Sequence, residues 1–277
     1  MKVPIVIAEI GCTHIGKIER AKYLAKLAKE SGANILKTQK RNPYESVKKE
    51  LWDKPHPNQM YAYGKTYLEH RLNLELPLEQ HKELKNYCEE IGIEYSTSVW
   101  DITSAKEIET LHPNKIKIPS ACNLNFDLIQ YCLDHFSEVH ISNGMTTFVQ
   151  RYKLYKYLDN YKDSIVIYAC TSGYPVPFEH LYLNEIKELS GRYPRVGYSH
   201  HGYGIAAPAI AYVLNANYIE VHFTDDRLFR HTDSSSSLEK TGLTKLCRDL
   251  HNICKSLQNK PDELCDIEKE QNDKLRI

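Results

Sequence analysis

Short apolar segments alternate with amphipathic segments along most of the chain. The apolar runs are rich in β-branched residues and predict strands at residues 3–10, 34–38, 94–98, 115–118, 138–142, 165–170, 195–199 and 218–223. Helical periodicity predicts helices near residues 17–31, 77–91, 102–110, 126–135, 147–159, 181–190, 204–214 and 239–257. Eight strand–helix alternations predict an α/β fold of the (β/α)8 barrel type, although an open doubly wound sheet would produce the same alternation.

Two segments fall outside this alternation. Residues 39–76 are polar, aromatic and interrupted by three prolines, and they follow the carboxyl end of the second predicted strand. Such a long insertion suggests a substrate lid, and a solvated connector with a short helix of its own is the alternative. Residues 258–277 are strongly charged and predict a surface helix or a frayed end. We therefore expect a catalytic barrel over residues 1–257 followed by a charged tail.

Composition narrows the classes of function. The 36 basic and 36 acidic side chains leave no net formal charge, which disfavours binding to nucleic acid or to an anionic membrane. The sequence contains neither an apolar run long enough for a membrane helix nor a recognisable signal peptide, so we expect a cytoplasmic protein. The eight cysteines are dispersed, without CxxC spacing, and we expect reduced thiols.

Polar side chains stand where the predicted strands end, which is where barrel enzymes carry their chemistry. A charge inside an apolar strand is costly unless it is paired or functional. This singles out four residues, Glu9, Lys37, Lys117 and Glu220, for which a salt bridge between neighbouring strands is the alternative. Hydroxyl groups accompany them at Thr97, Ser120, Ser142, Thr171, Ser172 and Ser199. Two ammonium groups with hydroxyls at one barrel mouth predict a phosphorylated or acidic small substrate, with strand-end capping as the alternative for some hydroxyls.

Two histidines follow the last two predicted strands. Because adjacent strands lie about 4.8 Å apart, His201 and His222 could share one metal ion. Two ligands would leave positions for water and a substrate oxygen, which favours a Lewis-acid role, while hydrogen bonding or acid–base chemistry is the alternative. The polar segment 231–239 comes directly after the last strand and is expected to form a loop over the mouth. The motifs of nucleotide-binding proteins, α/β-hydrolases and zincins are absent from the sequence.

A series of blocks in the same order resembles the sialic acid synthase family, including its legionaminate, pseudaminate and spore-coat relatives, over about residues 3–255. IAEIGCTHIG resembles the family's IAEIG-x-NH-x-G, ILKTQ its VKFQ, YSTSVWD its STPFD, KIPSACNLN its KI-x-SGE-x-N-x and ISNGM its STGM. CTSGYPVP resembles CTS-x-YP-x-P, VGYSHHGYGI resembles GYSDHT-x-G, IEVHFTDDR resembles IEKHFT-x-D, and HTDSSSSLE resembles GPDH-x-x-SLE.

The resemblance implies a (β/α)8 barrel, active as a homodimer, that condenses phosphoenolpyruvate with an N-acylmannosamine-type aldose and releases phosphate. It implies a divalent metal, Mn²⁺ or Mg²⁺, on His201 and His222. Phosphoenolpyruvate would be bound by Lys37, Thr97, Lys117, Ser120, Ser172 and Ser199. The sugar and metal would be surrounded by Glu9, Gln39, Tyr174, Glu220 and Asp233. Catalysis is expected from Lys117 and from Glu9 and Glu220, either of which could handle the proton of the attacking water.

The sequence departs from the family pattern at several places. Cys122 stands where the family usually has a sugar-contacting Glu, His200 replaces the Asp before the metal histidine, and His231 and Thr232 replace Gly and Pro. Family members also append a small antifreeze-like domain whose arginine reaches the partner's sugar, and we expect that arginine to have no source within these 277 residues. The alternatives are a 3-deoxy-octulosonate-type synthase acting on a non-acylated aldose and a non-catalytic barrel subunit.

Overall fold

The computed structural model, which describes residues 2–277, closes eight parallel strands into one barrel. The strands are β1 (Ile5–Gly11), β2 (Ile35–Lys40), β3 (Glu94–Val99), β4 (Lys115–Ile118), β5 (Glu138–Ser142), β6 (Ile165–Cys170), β7 (Val196–His200) and β8 (Tyr218–His222). Each strand pairs with its sequence neighbours, and β1 pairs with both β2 and β8. This closure confirms the (β/α)8 barrel and excludes the open sheet.

Eleven α-helices accompany the strands in the described residues. They are α1 (Ile18–Glu30), α2 (Pro43–Ser46), α3 (Tyr67–Leu74), α4 (Leu78–Ile91), α5 (Ile102–Glu109), α6 (Phe126–His135), α7 (Phe148–Leu158), α8 (Asn184–Ser190), α9 (Ala206–Val213), α10 (Lys240–Ser256) and α11 (Asp266–Leu275). Helix α1 shows why they cover the barrel, because its buried residues Ala21, Leu24, Ala25 and Ala28 recur at the spacing of one helix face. The predicted helix at 181–190 begins later, at Asn184, since Tyr182 has a left-handed backbone conformation (φ 46°).

The hydrophobic core has two parts. The larger part lies between the barrel wall and the helices. The smaller part fills the barrel interior and contains Ile7, Ile35, Val166, Tyr168 and Tyr218. Because strand side chains alternate between the two faces, residues two positions after this apolar layer also face inward, one layer nearer the carboxyl ends. The apolar layer is therefore the floor on which the polar residues of the mouth stand.

The insertion at 39–76 forms the short helices α2 and α3 and extends over the barrel mouth. Helix α3 begins with a capping box in which Thr66 and Glu69 each bond the other's backbone N–H. The segment is tied to the loop after β8 by Arg230, whose Nη2 donates to the carbonyl oxygen of Ala62 over 2.9 Å. The Tyr63 hydroxyl donates in return to the Arg230 carbonyl oxygen. The insertion thus has a short helix of its own and also forms part of the wall around the mouth.

Helix α11 lies within the predicted charged tail and has no buried residue. The structure shows no disulfide bond among the eight cysteines, all of which lie within residues 2–277. None of the helices found in residues 2–277 combines the length and apolarity that crossing a membrane would require.

Candidate active site

A cavity of about 490 Å³, including space open to solvent, lies at the carboxyl ends of the strands. It brings together most of the residues that the sequence singled out. Those that line it are Glu9, Lys37, Gln39, Lys117, Ser120, Ser142, Ser172, Tyr174, Ser199, His201, Glu220 and His222. The polar residues at the carboxyl ends of the predicted strands therefore mark the position of this cavity.

The prediction that Thr97 belongs to this cavity is wrong. Thr97 is fully buried, and its hydroxyl accepts a hydrogen bond of 3.0 Å from Thr38, its partner in the β2–β3 register. Side chains on a strand alternate, so the next residue, Ser98, faces the interior and lines the cavity instead. Ser98 accepts a hydrogen bond of 2.8 Å from Lys37. The strand register explains this, because Ser98 lies two positions after Ser96, the partner of Lys37.

Asp233 lies beside the cavity, in the wall of a neighbouring one. Its Oδ2 is 3.9 Å from Nδ1 of His222 and 3.8 Å from Nδ1 of His231. Gly11 makes this approach possible, because a Cβ at that position would lie 3.2 Å from Asp233 Oδ2 and 3.1 Å from Gln39 Nε2. Asp233 therefore lies near His222 and His231 but does not line the cavity that contains Glu9 and the two lysines.

The four charges predicted from the strands form one buried network. Lys37 pairs with Glu9 and lies 3.8 Å from Oε2 of Glu220. Lys117 reaches across the barrel from β4 to Glu220 Oε1 at 2.6 Å, and Ser199 donates to the same oxygen over 3.0 Å. The salt bridges that were the alternative to a functional site do form. Since all five side chains also line the cavity, pairing and exposure to a ligand occur together here.

The two carboxyl groups of this network have opposite pKa shifts. Burial raises the pKa of Glu9 to about 7, because the nearby Lys37 charge offsets the desolvation only in part and Glu220 adds repulsion. Burial also acts to raise the pKa of Glu220, but the charges of Lys117 and Lys37 outweigh it and hold that pKa well below its ordinary value. Glu220 is therefore ionised at neutral pH, whereas Glu9 gains or loses its proton near pH 7.

The two lysines differ as well. Burial acts to lower the pKa of Lys37, yet the carboxylates of Glu220 and Glu9 outweigh it, so this pKa is raised. Burial lowers the pKa of Lys117, although Glu220 opposes the shift. The Lys117 ammonium also lies 4.5 Å from the ring centroid of Tyr168 in the barrel floor.

His201 and His222 lie side by side, with their ring centroids 5.2 Å apart. Burial lowers the pKa of His201 to about 4 and that of His222 to about 3, so both rings are neutral at pH 7. His201 Nδ1 lies 3.0 Å from the Thr171 carbonyl oxygen, which only accepts, so Nδ1 carries the proton and Nε2 the lone pair. His222 Nδ1 is buried without a hydrogen-bond partner. Tyr174 packs edge-on against both rings.

Two hydroxyl groups converge on Cys170, whose Sγ lies 3.5 Å from Ser120 Oγ and 3.9 Å from Ser172 Oγ. Gly144 leaves room for them, because a Cβ there would lie 2.7 Å from Ser120 Oγ and 2.8 Å from Ser172 Oγ. The sequence did not single out Trp100, Met145 and Cys170, which also line the cavity. These three are apolar or weakly polar side chains, and no motif of chemistry-bearing residues marks them.

The residues that depart from the family pattern lie in different places. Cys122 lines neither cavity, and its thiol donates to the Trp100 carbonyl oxygen over 3.3 Å. His200 is buried, and its Nδ1 lies 3.1 Å from the Tyr198 hydroxyl. His231 and Thr232 line the neighbouring cavity together with Asp233. The departures that bear on a ligand are thus in the loop after β8.

A closed barrel with lysines, carboxylates and a histidine pair at its mouth defines a barrel enzyme that acts on a small anionic substrate. The chain belongs to the NeuB family, whose profile matches residues 24–262. This confirms the resemblance to the sialic acid synthases. The N-acetylneuraminate-9-phosphate synthase of Homo sapiens is 31% identical over 272 residues, which cover 98% of this chain and 76% of that relative.

Other relatives point to the same family. The N,N'-diacetyllegionaminic acid synthase of Legionella pneumophila is 30% identical over 268 residues, covering 93% of this chain and 75% of the relative. The fold matches that of an N-acetylneuraminic acid synthetase from Leptospira borgpetersenii, solved with citrate, with a TM-score of 0.83. That structure is 24% identical, and the match covers 99% of this chain and 93% of the other.

Proposed function

We propose that this protein condenses phosphoenolpyruvate with an N-acylmannosamine-type aldose to form a sialic-acid-like 3-deoxy-ulosonic acid, with release of phosphate. Membership of the NeuB family supports this class of reaction. The observation that carries the proposal is that Lys37 and Lys117 share one cavity with His201 and His222. Cationic groups suited to an anion and two neutral imidazoles thus line the same cavity.

Phosphoenolpyruvate binds through its two anionic groups. Lys37 and Lys117 supply buried positive charge, and Ser98, Ser120 and Ser172 supply hydroxyl donors in the same cavity. Because these groups are held by strand ends and by the apolar floor, they are in place before the substrate arrives. The anion would loosen the contacts of both lysines with Glu9 and Glu220.

His201 and His222 fit a divalent cation, Mn²⁺ or Mg²⁺. Both rings are neutral, the lone pair of His201 Nε2 is free, and His222 Nδ1 has no partner in the protein. Within residues 2–277, no preformed group of three His, Cys, Asp or Glu side chains converges. The chain would therefore hold the ion through two nitrogens, with its other positions available to water and substrate oxygen. Such an ion supplies Lewis-acid polarisation of the aldehyde.

Glu9 and Glu220 take different roles in this proposal. Glu220 is ionised and holds Lys117 and Ser199, so it positions and balances the charges of the anion site. Glu9, with a pKa of about 7, can accept a proton and release it within one catalytic cycle. Gln39 orients Glu9 by donating to its Oε1 over 3.3 Å.

The reaction forms one carbon–carbon bond and one carbon–oxygen bond to water, and it breaks the carbon–oxygen bond to the phosphate group. The methylene carbon of phosphoenolpyruvate attacks the aldehyde carbon, whose oxygen gains a proton and becomes a hydroxyl. Water adds to the cationic enol carbon, and Glu9 accepts its proton. The bond between that carbon and the phosphate oxygen then breaks, the carbon becomes the ketone carbonyl, and the proton of its hydroxyl leaves with the phosphate. The proton that Glu9 took from the water is the one that the aldehyde oxygen gains. Lys37 and Lys117 stabilise the negative charge of the departing phosphate.

Phosphate release from phosphoenolpyruvate tests the proposal. The enzyme is incubated with Mn²⁺ and a panel of N-acylated and plain aldoses. We expect release with the N-acylmannosamine class and formation of a ulosonic acid, measured by mass spectrometry. Release with plain aldoses alone would replace the proposal by the 3-deoxy-octulosonate type of reaction. No release with any aldose would favour a non-catalytic barrel.

A further inference from the structure

A chain of hydrogen-bonded polar side chains lies in the barrel interior, below the cavity that contains the two lysines. It runs from Glu138 and His140 on β5 to Tyr168 on β6, and it ends beneath Lys117. His140 is 2% exposed and Tyr168 is fully buried. Neither residue lines the cavity above, so the chain can affect a ligand only through Lys117.

Each hydrogen bond of this chain has a defined direction. Burial acts to raise the pKa of Glu138, but His140 and Arg195 outweigh it and hold that pKa at about 2, so the carboxylate only accepts. Burial lowers the pKa of His140, so its ring is neutral at pH 7. His140 Nε2 lies 2.8 Å from Glu138 Oε1 and therefore carries the ring proton. His140 Nδ1 then accepts from the Tyr168 hydroxyl over 2.8 Å.

These hydrogen bonds fix both the position of the Tyr168 ring and its charge distribution. Because each hydrogen bond polarises the next, a hydroxyl that donates to a histidine–carboxylate pair gains electron density, and so does its ring. The Lys117 ammonium lies over this ring, 4.5 Å from its centroid, where the negative face attracts a cation. The backbone of Gly197 also packs against the ring, since a Cβ there would lie 2.3 Å from it.

Lys117 needs a second support when an anion binds. Its ammonium pairs with Glu220, and an anionic ligand competes for the same N–H groups. Lys37 approaches the same carboxylate, so the two ammonium groups also repel each other. An aromatic face attracts an ammonium without neutralising it and leaves its hydrogens free for a ligand. The ring of Tyr168 can therefore hold Lys117 while the contact with Glu220 loosens.

We infer that Tyr168 is a positioning residue that holds the Lys117 ammonium in place for the anionic substrate, and that His140 and Glu138 hold Tyr168 for this task. This inference rests on the proposed function, in which Lys117 binds phosphoenolpyruvate. A hydrogen-bonded chain that only filled the barrel interior would affect the stability of the protein but not its affinity for the anion.

The test measures the dissociation constant of phosphoenolpyruvate by calorimetry, with Mn²⁺ present and without aldose, so that no turnover is needed. We expect Tyr168→Leu, which removes the aromatic face, to raise this constant about 3- to 30-fold. We expect a smaller rise of about 2- to 5-fold for Tyr168→Phe, which keeps the ring but loses the hydrogen bond to His140. In steady-state kinetics, the KM for phosphoenolpyruvate should rise while the KM for the aldose stays unchanged.

Tyr95→Phe is the matched control. The Tyr95 hydroxyl lies 2.7 Å from His81 Nδ1, and both residues are buried between β3 and α4, outside the barrel interior. This variant loses a comparable tyrosine–histidine hydrogen bond, and it should keep the wild-type affinity for phosphoenolpyruvate. Circular dichroism shows whether each variant is folded, and Tyr168→Phe decides alone if Tyr168→Leu is not.

An unchanged dissociation constant in a folded Tyr168 variant, or an equal rise in Tyr95→Phe, would overturn the inference and leave the proposed function standing. Failure of the proposed function gives a different result. A wild type that binds phosphoenolpyruvate and shows the expected effects of the variants, yet releases no phosphate with any aldose, would overturn the proposed reaction. The role of Tyr168 in anion binding would then still stand.

Discussion

Glu9 and Glu220 show how far the surroundings of one residue type decide its chemistry. Both are glutamates at the ends of neighbouring strands, β1 and β8, and both are buried. Glu220 lies near two ammonium groups, which lower its pKa, whereas desolvation dominates at Glu9 and raises its pKa to about 7. Two environments therefore separate a structural counter-ion from a group that exchanges a proton near neutral pH.

The pH dependence of the reaction follows from the raised pKa of Glu9. A base must be ionised to accept a proton, so kcat/KM should decrease about tenfold per pH unit below pH 7 and level off above it. Glu9→Gln should lower kcat by about 10²- to 10⁴-fold and remove the acidic limb of the profile. Steady-state kinetics from pH 5.5 to 9 measure both effects.

The control for this variant is Glu89→Gln, which alters an exposed glutamate that pairs with Lys85 on helix α4. It should keep the wild-type profile. A wild-type rate that does not change between pH 6 and 8 would contradict the role of Glu9.

His222→Ala should remove the metal and turnover together. With one of two nitrogen ligands gone, we expect the affinity for Mn²⁺, measured by calorimetry on the folded protein, to fall at least about tenfold. Activity should fall in parallel. His251→Ala, on the exposed face of helix α10, should bind Mn²⁺ as the wild type does. Unchanged Mn²⁺ binding by His222→Ala would show that the ion is held elsewhere.

At the scale of the elements, the alternation of side chains along each strand decides which residue serves the site. In β3 the interior position belongs to Ser98, and Thr97 packs on the outside of the barrel wall. In β1, β2 and β8 the same alternation places an apolar residue of the floor two positions before each charged one. The charged residues of the site and the apolar residues beneath them therefore lie on the same face of each strand.

Close packing in the barrel interior should make Gly197, in β7, sensitive to substitution. A Cβ at Gly197 would lie 2.3 Å from the ring of Tyr168, which is fully buried in the barrel interior. Gly197→Ala should therefore lower the free energy of unfolding by about 1–3 kcal/mol, the usual range for overpacking. Urea denaturation followed by circular dichroism provides the measurement.

Gly191→Ala is the matched control. A Cβ at Gly191 would have its nearest neighbour at 3.5 Å, which is an ordinary contact, and the residue has a negative φ. This variant should stay within about 0.5 kcal/mol of the wild type. Equal stability of the two variants would mean that Tyr168 moves aside at no cost.

At the scale of the whole molecule, the barrel strands supply the cavity that contains the lysines and histidines. The loops supply most of the neighbouring cavity, which contains Asp233. Hydrogen bonds of Arg230 and Tyr63 join the insertion to the loop after β8, and both segments line that neighbouring cavity. That connection joins two segments that are far apart in sequence. The homodimer and the cytoplasmic location stay predictions.

Helix α11 should contribute little to the stability of the barrel. It has no buried residue, and its ion pairs, such as Lys274 with Glu270, are exposed and local. A chain ending at residue 261 should therefore melt within about 2 °C of the full chain, with the same kcat. Thermal unfolding followed by circular dichroism, with a phosphate-release assay, tests this. A decrease of more than about 5 °C would show that the helix packs on the barrel.

Much of this fold follows from the sequence because its pattern is local. Period-two and period-3.6 apolar spacing reflects which face of a strand or helix is buried, so the eight strands and their helices were predicted close to their observed bounds. Barrel enzymes carry their chemistry at the carboxyl ends of the strands, and parallel strands end on the same side of the barrel. This places six residues at one mouth, namely Glu9, Lys37, Lys117, Glu220, His201 and His222.

Only the tertiary structure decided what depends on distance between separate segments. It closed the barrel, directed Ser98 rather than Thr97 inward, and joined Lys117 to Glu220 across the interior. It also brought Arg41 and Arg71 into the wall of one cavity. Hydrophobic periodicity is set by neighbours along the chain, whereas pKa values and charge balance are set by neighbours in space, and these come from all eight strands and their loops.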